Sequence, residues 1–177
     1  MGAGRITDTY KLEITMKTSK LITTYIVDCY GKDGFLKWSE KTPNIVVNEG
    51  VDYLFDSAFL NTETSNWFAG LVHQGNGVAE DTMQDHTWIE YLGWVNVKRP
   101  LLTFEPHNPR TAEQNIKTRP VTFTMGTTDS ISGAFMTTSE VKDDYSGKLY
   151  GVTSFEATHN VIPGDSISMS ITIGARQ

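Results

Sequence analysis

The chain has 177 residues, of which 38% are hydrophobic and 20% charged, with a formal net charge of −6 and a pI near 5.1. That length suits one domain with a sizeable core, and the acidic balance argues against gripping phosphate backbones, which requires a basic footprint. Cys29 is the only cysteine, so neither an internal disulfide nor a cysteine-rich zinc cluster can form.

Residues 1–48 are net +2 and the remainder net −8, an asymmetry too mild for a basic arm. No charged n-region followed by an apolar h-region opens the sequence, and no apolar run approaches the length of a membrane span. The expectation is a chain made and assembled in a reducing cytoplasm, with stability from packing or partners. Threonine, valine, isoleucine and the aromatics are plentiful and suit a pleated, half-buried surface.

In chain order, residues 1–18 begin Gly-rich and continue as TYKLEITM, where Tyr10, Leu12, Ile14 and Met16 alternate. Such a segment fits either an arm that pairs with a neighbouring sheet edge or an ordinary first strand behind a frayed terminus. Residues 19–177 read as a single domain. KLITTYIVDCYG (20–31) is β-branched and aromatic with apolar members in both interleaved sets, a pattern that suits cover on both faces. GKDG (31–34) is a turn and FLKWSEK a returning strand, so residues 20–40 form a predicted hairpin.

In NIVVNEGVDYLFDSAFLN the period changes from two to 3.6: Val51, Leu54, Phe55, Ala58 and Phe59 share one helical face. A short helix near 48–60 is expected, with Asn48 as its cap, Glu49 in the favourable first turn and the apolar stripe on a sheet. NWFAGLV (66–72) resembles a buried strand and EYLGWVNV (90–97) an extended one. Residues 105–119, polar with two prolines and no period, predict a long exposed connection. Towards the C-terminus, VTFTM alternates, ISGAFMTTSEV and KLYGVTSFEA flank the turn-like KDDYSG, and SISMSITI buries Ile167, Met169, Ile171 and Ile173 on one face against Ser and Thr on the other. The expected fold is all-β, mainly strands with one short helix, in a jelly-roll-like β-sandwich.

AEDTMQDHTWIEY (79–91) crowds four acids and a histidine around a tryptophan. His86 and Glu90, like Asp81 and Asp85, stand four apart and would share a face on a helix, but no His-Glu-x-x-His pair or EF-hand loop is present. The alternative is a polar loop that Trp88 and Ile89 anchor to the core while Asp and Thr satisfy backbone donors. Asp81, His86, Trp88 and Glu90 are its expected structural residues. No Gly-x-Ser-x-Gly elbow or phosphate loop occurs, Cys29 sits in a strand pattern, and His73, His107 and His159 are isolated along the chain. Paired carboxylates for glycoside cleavage would leave no local signature. Trp38, Trp67, Trp88 and Trp94 are enough for a sugar-stacking platform, although strand aromatics more often belong to a core.

Taken together, NIVVNEGVDYLFDSAF, NWFAGLV, AEDTMQDHTWIEY, Arg99-Pro100, VTFTM, ISGAFMTT, GKLYGVTSFEA and VIPGDSISMSITI resemble a recurrent family of tailed-bacteriophage virion proteins over residues 43–173. The resemblance implies a non-enzymatic structural component of the particle, most plausibly a cement or decoration protein on the outer capsid surface. Its expected partners are the major capsid protein and itself, as a homotrimer, with no nucleic acid, membrane, metal or cofactor. The alternative is a tail or baseplate accessory protein that binds a receptor glycan. In either case the resemblance makes Asp81, His86 and Trp88 holders of a loop.

Overall fold

The computed structural model describes residues 20–61, 66–106 and 115–176. The expected arm, Tyr10, Leu12, Ile14 and Met16, lies outside the described residues, as does His107. Among the described residues ten strands form two antiparallel sheets, an all-β fold with one short helix.

The predicted hairpin forms from β1 (Lys20–Tyr30) and β2 (Leu36–Pro43), closed by a turn in which Gly34 has φ +81°. The final strand, β10 (Ser166–Arg176), runs antiparallel along the whole of β1, from Lys20↔Arg176 to Tyr30↔Ser166. Beyond β10 lie β6 (Asn115–Lys117) and β7 (Val121–Thr124), which completes sheet A. Sheet B has the order β3 (Ile45–Val46), β9 (Leu149–Val161), β8 (Asp129–Thr137), β4 (Phe68–Gln74) and β5 (Ile89–Glu90).

The alternation in SISMSITI does what its period requires: Ile167, Met169 and Ile171 are fully buried. They meet Tyr25, Val27, Phe123, Ile131 and Met136 in the main core, where each large apolar side chain contributes about 1.5–3 kcal/mol relative to water. The two faces of β1 differ in burial, with Ile22, Thr24, Asp28 and Tyr30 half-buried on the outer one. Thr23, Tyr25, Val27 and Cys29 are buried, whereas Ile26 on the other face is 37% exposed. Ser168, Ser170, Thr172 and Thr122 share that side of sheet A with Ile26 through the ladder.

The helix departs from expectation in three ways. α1 spans Asn48–Phe55 and continues as a π-helical turn, Asp56–Leu60, that ends at Asn61 with φ +53°. Its cap position is Val47, not Asn48, because Val47 is fully buried and fixes where the chain turns; the Asn48 N–H instead donates to Ala79 O at 2.8 Å. The face that touches the sheet is Gly50 and Tyr53. A Cβ on Gly50 would stand 2.3 Å from the Tyr150 carbonyl oxygen, so only glycine permits this approach. Tyr53 meets Trp67 edge-on at 5.2 Å. The predicted stripe is thereby rotated outward: Val51 and Leu54 are half-buried, and Phe55, Ala58 and Phe59 are exposed.

EYLGWVNV also differs from the expected strand. Only Glu90 belongs to β5, and Trp94 makes a single bridge to Met125. Tyr91 and Trp94 are both turned into the main core, which a regular period-two strand at that spacing cannot do, and the Lys142 ammonium holds the carbonyls of Leu92 and Trp94. Part of the expected 105–119 connection is strand, since β6 pairs with β10.

Candidate functional site: a clamped acidic loop and the surface around it

Sheet B carries a second, smaller core on its far side, built of Val47, Val72, Phe135, Leu149 and Val152 and closed by Met83 and Trp88 from the acidic stretch. Trp88 is 2% exposed and packs on Phe135 at 4.7 Å. The loop therefore covers a sheet face that would otherwise be wet.

Of its acids, Asp81 faces inward and accepts a backbone hydrogen bond, while Glu80 and Asp85 are exposed. Asp81 Oδ2 accepts from Val78 N (3.0 Å) and from the Trp88 indole N–H (3.2 Å), closing the turn and orienting the ring it protects. Glu49, from the first turn of α1, reaches over the loop: its Oε2 accepts from Met83 N (2.9 Å) and Leu149 N (2.8 Å). One carboxylate so ties helix, loop and β9 together. Thr82 and Asp85 bond to each other at 3.0 Å, with Asp85 N donating to Thr82 Oγ1 and Thr82 N to Asp85 O.

His86 lies flat on Trp88, with ring centroids 3.6 Å apart and planes 7° from parallel, and Tyr145 stacks at 5.5 Å. Its Nδ1 donates to Trp88 O at 2.9 Å, which makes the neutral ring the Nδ1–H tautomer and leaves Nε2 buried with no hydrogen-bond partner. Burial pushes the His86 pKa down, against the upward pull of the Trp88 carbonyl and of Asp81, Glu90 and Asp85.

Glu90 does not join that group. It forms a two-point pair with Arg99, Nε to Oε1 at 2.9 Å and Nη2 to Oε2 at 2.7 Å, and its Oε2 also accepts from Asp143 N at 2.8 Å. The Arg99 side chain is fully buried, bonded to Ser139 O at 3.0 Å and set over the Phe135 ring at 5.2 Å. Asp144 accepts from the hydroxyls of Ser139 and Ser146, and those bonds hold its carboxyl below the usual range. The clamp fastens the 90–99 segment to the 139–146 turn. Arg99 carries no local signal in the sequence beyond its dipeptide with Pro100, because its partners lie 9, 40 and 45 positions away.

The helical pairing of His86 with Glu90 is not formed, since 79–90 holds no helix. Among the described residues no three His, Cys, Asp or Glu side chains gather as a metal would need. Two of the isolated histidines do meet acids in space. His159 Nε2 is 2.7 Å from Glu40 and its ring stacks on Trp38 at 4.1 Å; His73 Nδ1 is 3.5 Å from Asp129 and 3.0 Å from Ser130 O. Cys29 is fully buried, and burial pushes its thiol up to about 11. Trp88 and Trp94 are buried and Trp38 and Trp67 half-buried against the core, so the tryptophans do not form an exposed stacking platform.

The surface carries what the core declined. Phe55, Phe59 and Leu60 at the helix end are 58, 78 and 64% exposed, with the two phenylalanine rings 6.1 Å apart. At the β1–β2 turn, Phe35, Leu36 and Ile162 line a shallow groove with Lys32 and Lys37. No helix of the described residues is long and apolar enough to cross a membrane. Comparison with protein-family models, with curated proteins and with solved structures finds no match to this chain.

Proposed function

We propose that the chain is a non-enzymatic structural protein of a tailed-phage particle, a cement or decoration protein that binds the outer capsid surface and stabilises the shell. The observation that carries this reading is the outward turn of the helical stripe. Phe55 and Phe59 belong to a face with core chemistry, and the fold leaves it in water beside Leu60; an exposed apolar cluster of this kind marks a surface that a partner covers. The resemblance to virion proteins supplies the identity of that partner, the major capsid protein, with further copies of the chain assembled as a homotrimer. The mechanism is mass action: a ligand that binds the assembled shell and not its separated subunits stabilises the shell by its binding free energy.

The test is particle stability. Particles stripped of the protein should rupture at lower temperature than complete ones, and adding the protein back should restore them. The variants Phe55→Ser and Phe59→Ser should melt close to the parent yet fail to restore the particles. Equal heat resistance with and without the protein would end the cementing role. The polar cleft beside His73 supports a second reading, a tail or baseplate accessory protein that binds a receptor glycan. Copy number separates the two, hundreds per particle on a capsid and a few to a few dozen on a tail.

A further inference from the structure

We infer that the cleft between β4, β8 and the bulged part of β9 binds one neutral sugar unit. Two irregularities in sheet B build it. Between the pairs Ile131↔His159 and Gly133↔Ser154, β8 contributes one residue, Ser132, and β9 contributes four, Phe155 to Thr158. Between Val72↔Glu90 and Gln74↔Ile89, His73 is the extra residue of β4. Bulges of this kind break the ladder and re-aim side chains, and Val72↔Gly133 pairing brings the two displaced residues side by side.

The result is a cavity of about 340 Å³ lined by His73, Gln74, Gly75, Asn76, Ser130, Ser132 and Thr158, at the lower end of the size range of small-molecule sites. The His73 ring is fixed, because Nδ1 donates to Ser130 O at 3.0 Å and the other nitrogen of the neutral ring is then an acceptor. Ser132 supplies an independent sign of a ligand: its hydroxyl oxygen is buried and has no hydrogen-bond partner. Buried hydroxyls are normally paired, and a polar group entering the cleft would supply the missing partner.

The lining chooses the class of visitor. It holds no Lys or Arg to neutralise a phosphate or carboxylate, and the carboxylate of Asp129 stands behind the lining at 3.5 Å from His73 Nδ1. An apolar ligand would leave the Ser132 hydroxyl unpaired, at a cost of about 1–3 kcal/mol for a buried group. A peptide strand needs an open ladder edge, whereas β4 and β8 are each paired on both sides. Adjacent hydroxyls that donate and accept at once, as on a pyranose ring, match amides, hydroxyls and one imidazole acceptor. The inference does not depend on where the protein sits in a particle, so its failure leaves the cement proposal untouched.

The test is saturation-transfer NMR followed by titration calorimetry on the full chain. The probes are glucose, galactose, mannose, rhamnose and N-acetylglucosamine, with inorganic phosphate and N-acetylneuraminic acid as charged comparators. At least one neutral sugar should bind with roughly millimolar affinity, the range for a single ring in a shallow site. Ser132→Ala and Asn76→Ala should each weaken it by about tenfold, one lost hydrogen bond to a desolvated partner. Ser132→Ala should leave the melting temperature unchanged or raised, because it removes an unpaired buried hydroxyl; a lowered one would make the hydroxyl structural and overturn the inference. The exposed Asn76 keeps the test usable in that event. No neutral sugar bound at tens of millimolar, binding of the charged probes alone, or unaltered binding in both variants would each overturn it as well.

Discussion

Removing the Glu90 carboxylate tests the clamp at its most sensitive point. In Glu90→Ala the Arg99 guanidinium, whose side chain is wholly buried, keeps only Ser139 O at 3.0 Å, a weak contact to Asp144 O at 3.5 Å and the Phe135 face. The Asp143 N–H loses its acceptor as well. A buried pair broken on one side costs about 3–5 kcal/mol, mostly the penalty of an uncompensated charge. At about 2–4 °C per kcal/mol for a chain of this size, the melting temperature should fall by roughly 6–20 °C. Urea denaturation and thermal melts measure both numbers. The loss should persist in 1 M salt, since a buried pair is screened far less than an exposed one. The double variant Glu90→Leu, Arg99→Met should recover part of the loss, because it removes both charges while leaving Ser139 O and Asp143 N to be satisfied otherwise. A loss below about 1 kcal/mol for Glu90→Ala would show the pair to behave as an exposed one, and the clamp reasoning would be refuted.

Trp88→Ala should cost about 3–5 kcal/mol in denaturant titrations, as a large aromatic leaves the second core and the Asp81 carboxylate loses its indole donor. Stability should also fall in acid through His86. Its folded pKa lies below 6.5, so the unfolded chain binds the proton first; the contribution is whole above about pH 6.5 and is lost as pH falls through that value towards the folded one. His86→Phe should flatten that part of the stability curve relative to the parent, and parallel curves would refute the assignment. Cys29, buried with its thiol pushed up to about 11, should resist a disulfide-exchange reagent at pH 8 in the native protein and react at once in denaturant.

Much of the strand content was legible because period two leaves a mark. Ile167, Met169 and Ile171 went inward as the alternation required, and the β1–β2 hairpin formed around its glycine-containing turn. What the sequence concealed was tertiary. The helical stripe was correctly periodic, yet Gly50, a residue that no hydrophobic pattern counts, decided which face met the sheet. The 90–97 segment looked like a strand from its composition, and the burial of Tyr91 and Trp94 drew it out of register. The acidic stretch looked like a possible ligand set because its spacing was judged on an ideal helix. In the fold, Asp81 and His86 both hold Trp88, while Glu90 faces Arg99, which comes from another segment. The cleft was invisible for a similar reason: its serine, histidine and amides are unremarkable until two bulges bring them together.

The distribution of cover over the two sheets bears on how such a molecule would hold a shell. Sheet B is capped by α1 and the acidic loop, whereas among the described residues the outer side of sheet A shows mainly Ser and Thr hydroxyls with Ile26 among them. A hydroxyl-lined surface gains little from leaving water, and apolar contact is offered by patches such as Phe55, Phe59 and Leu60 at the helix end and Phe35, Leu36 and Ile162 at the β1–β2 turn. Full burial of a side chain of this kind is worth about 1.5–3 kcal/mol. With roughly half to three quarters of each still exposed, the six together supply on the order of 5–10 kcal/mol as an upper bound. Association costs about 4–15 kcal/mol in lost freedom before any surplus appears. One copy docked through these patches is therefore close to balance. Copies joined to one another pay that cost once for several contacts, and linked binding of this kind can strengthen attachment by about 10²–10⁴ without any new chemistry. On the proposed role, self-association is what turns patches this small into a lasting grip.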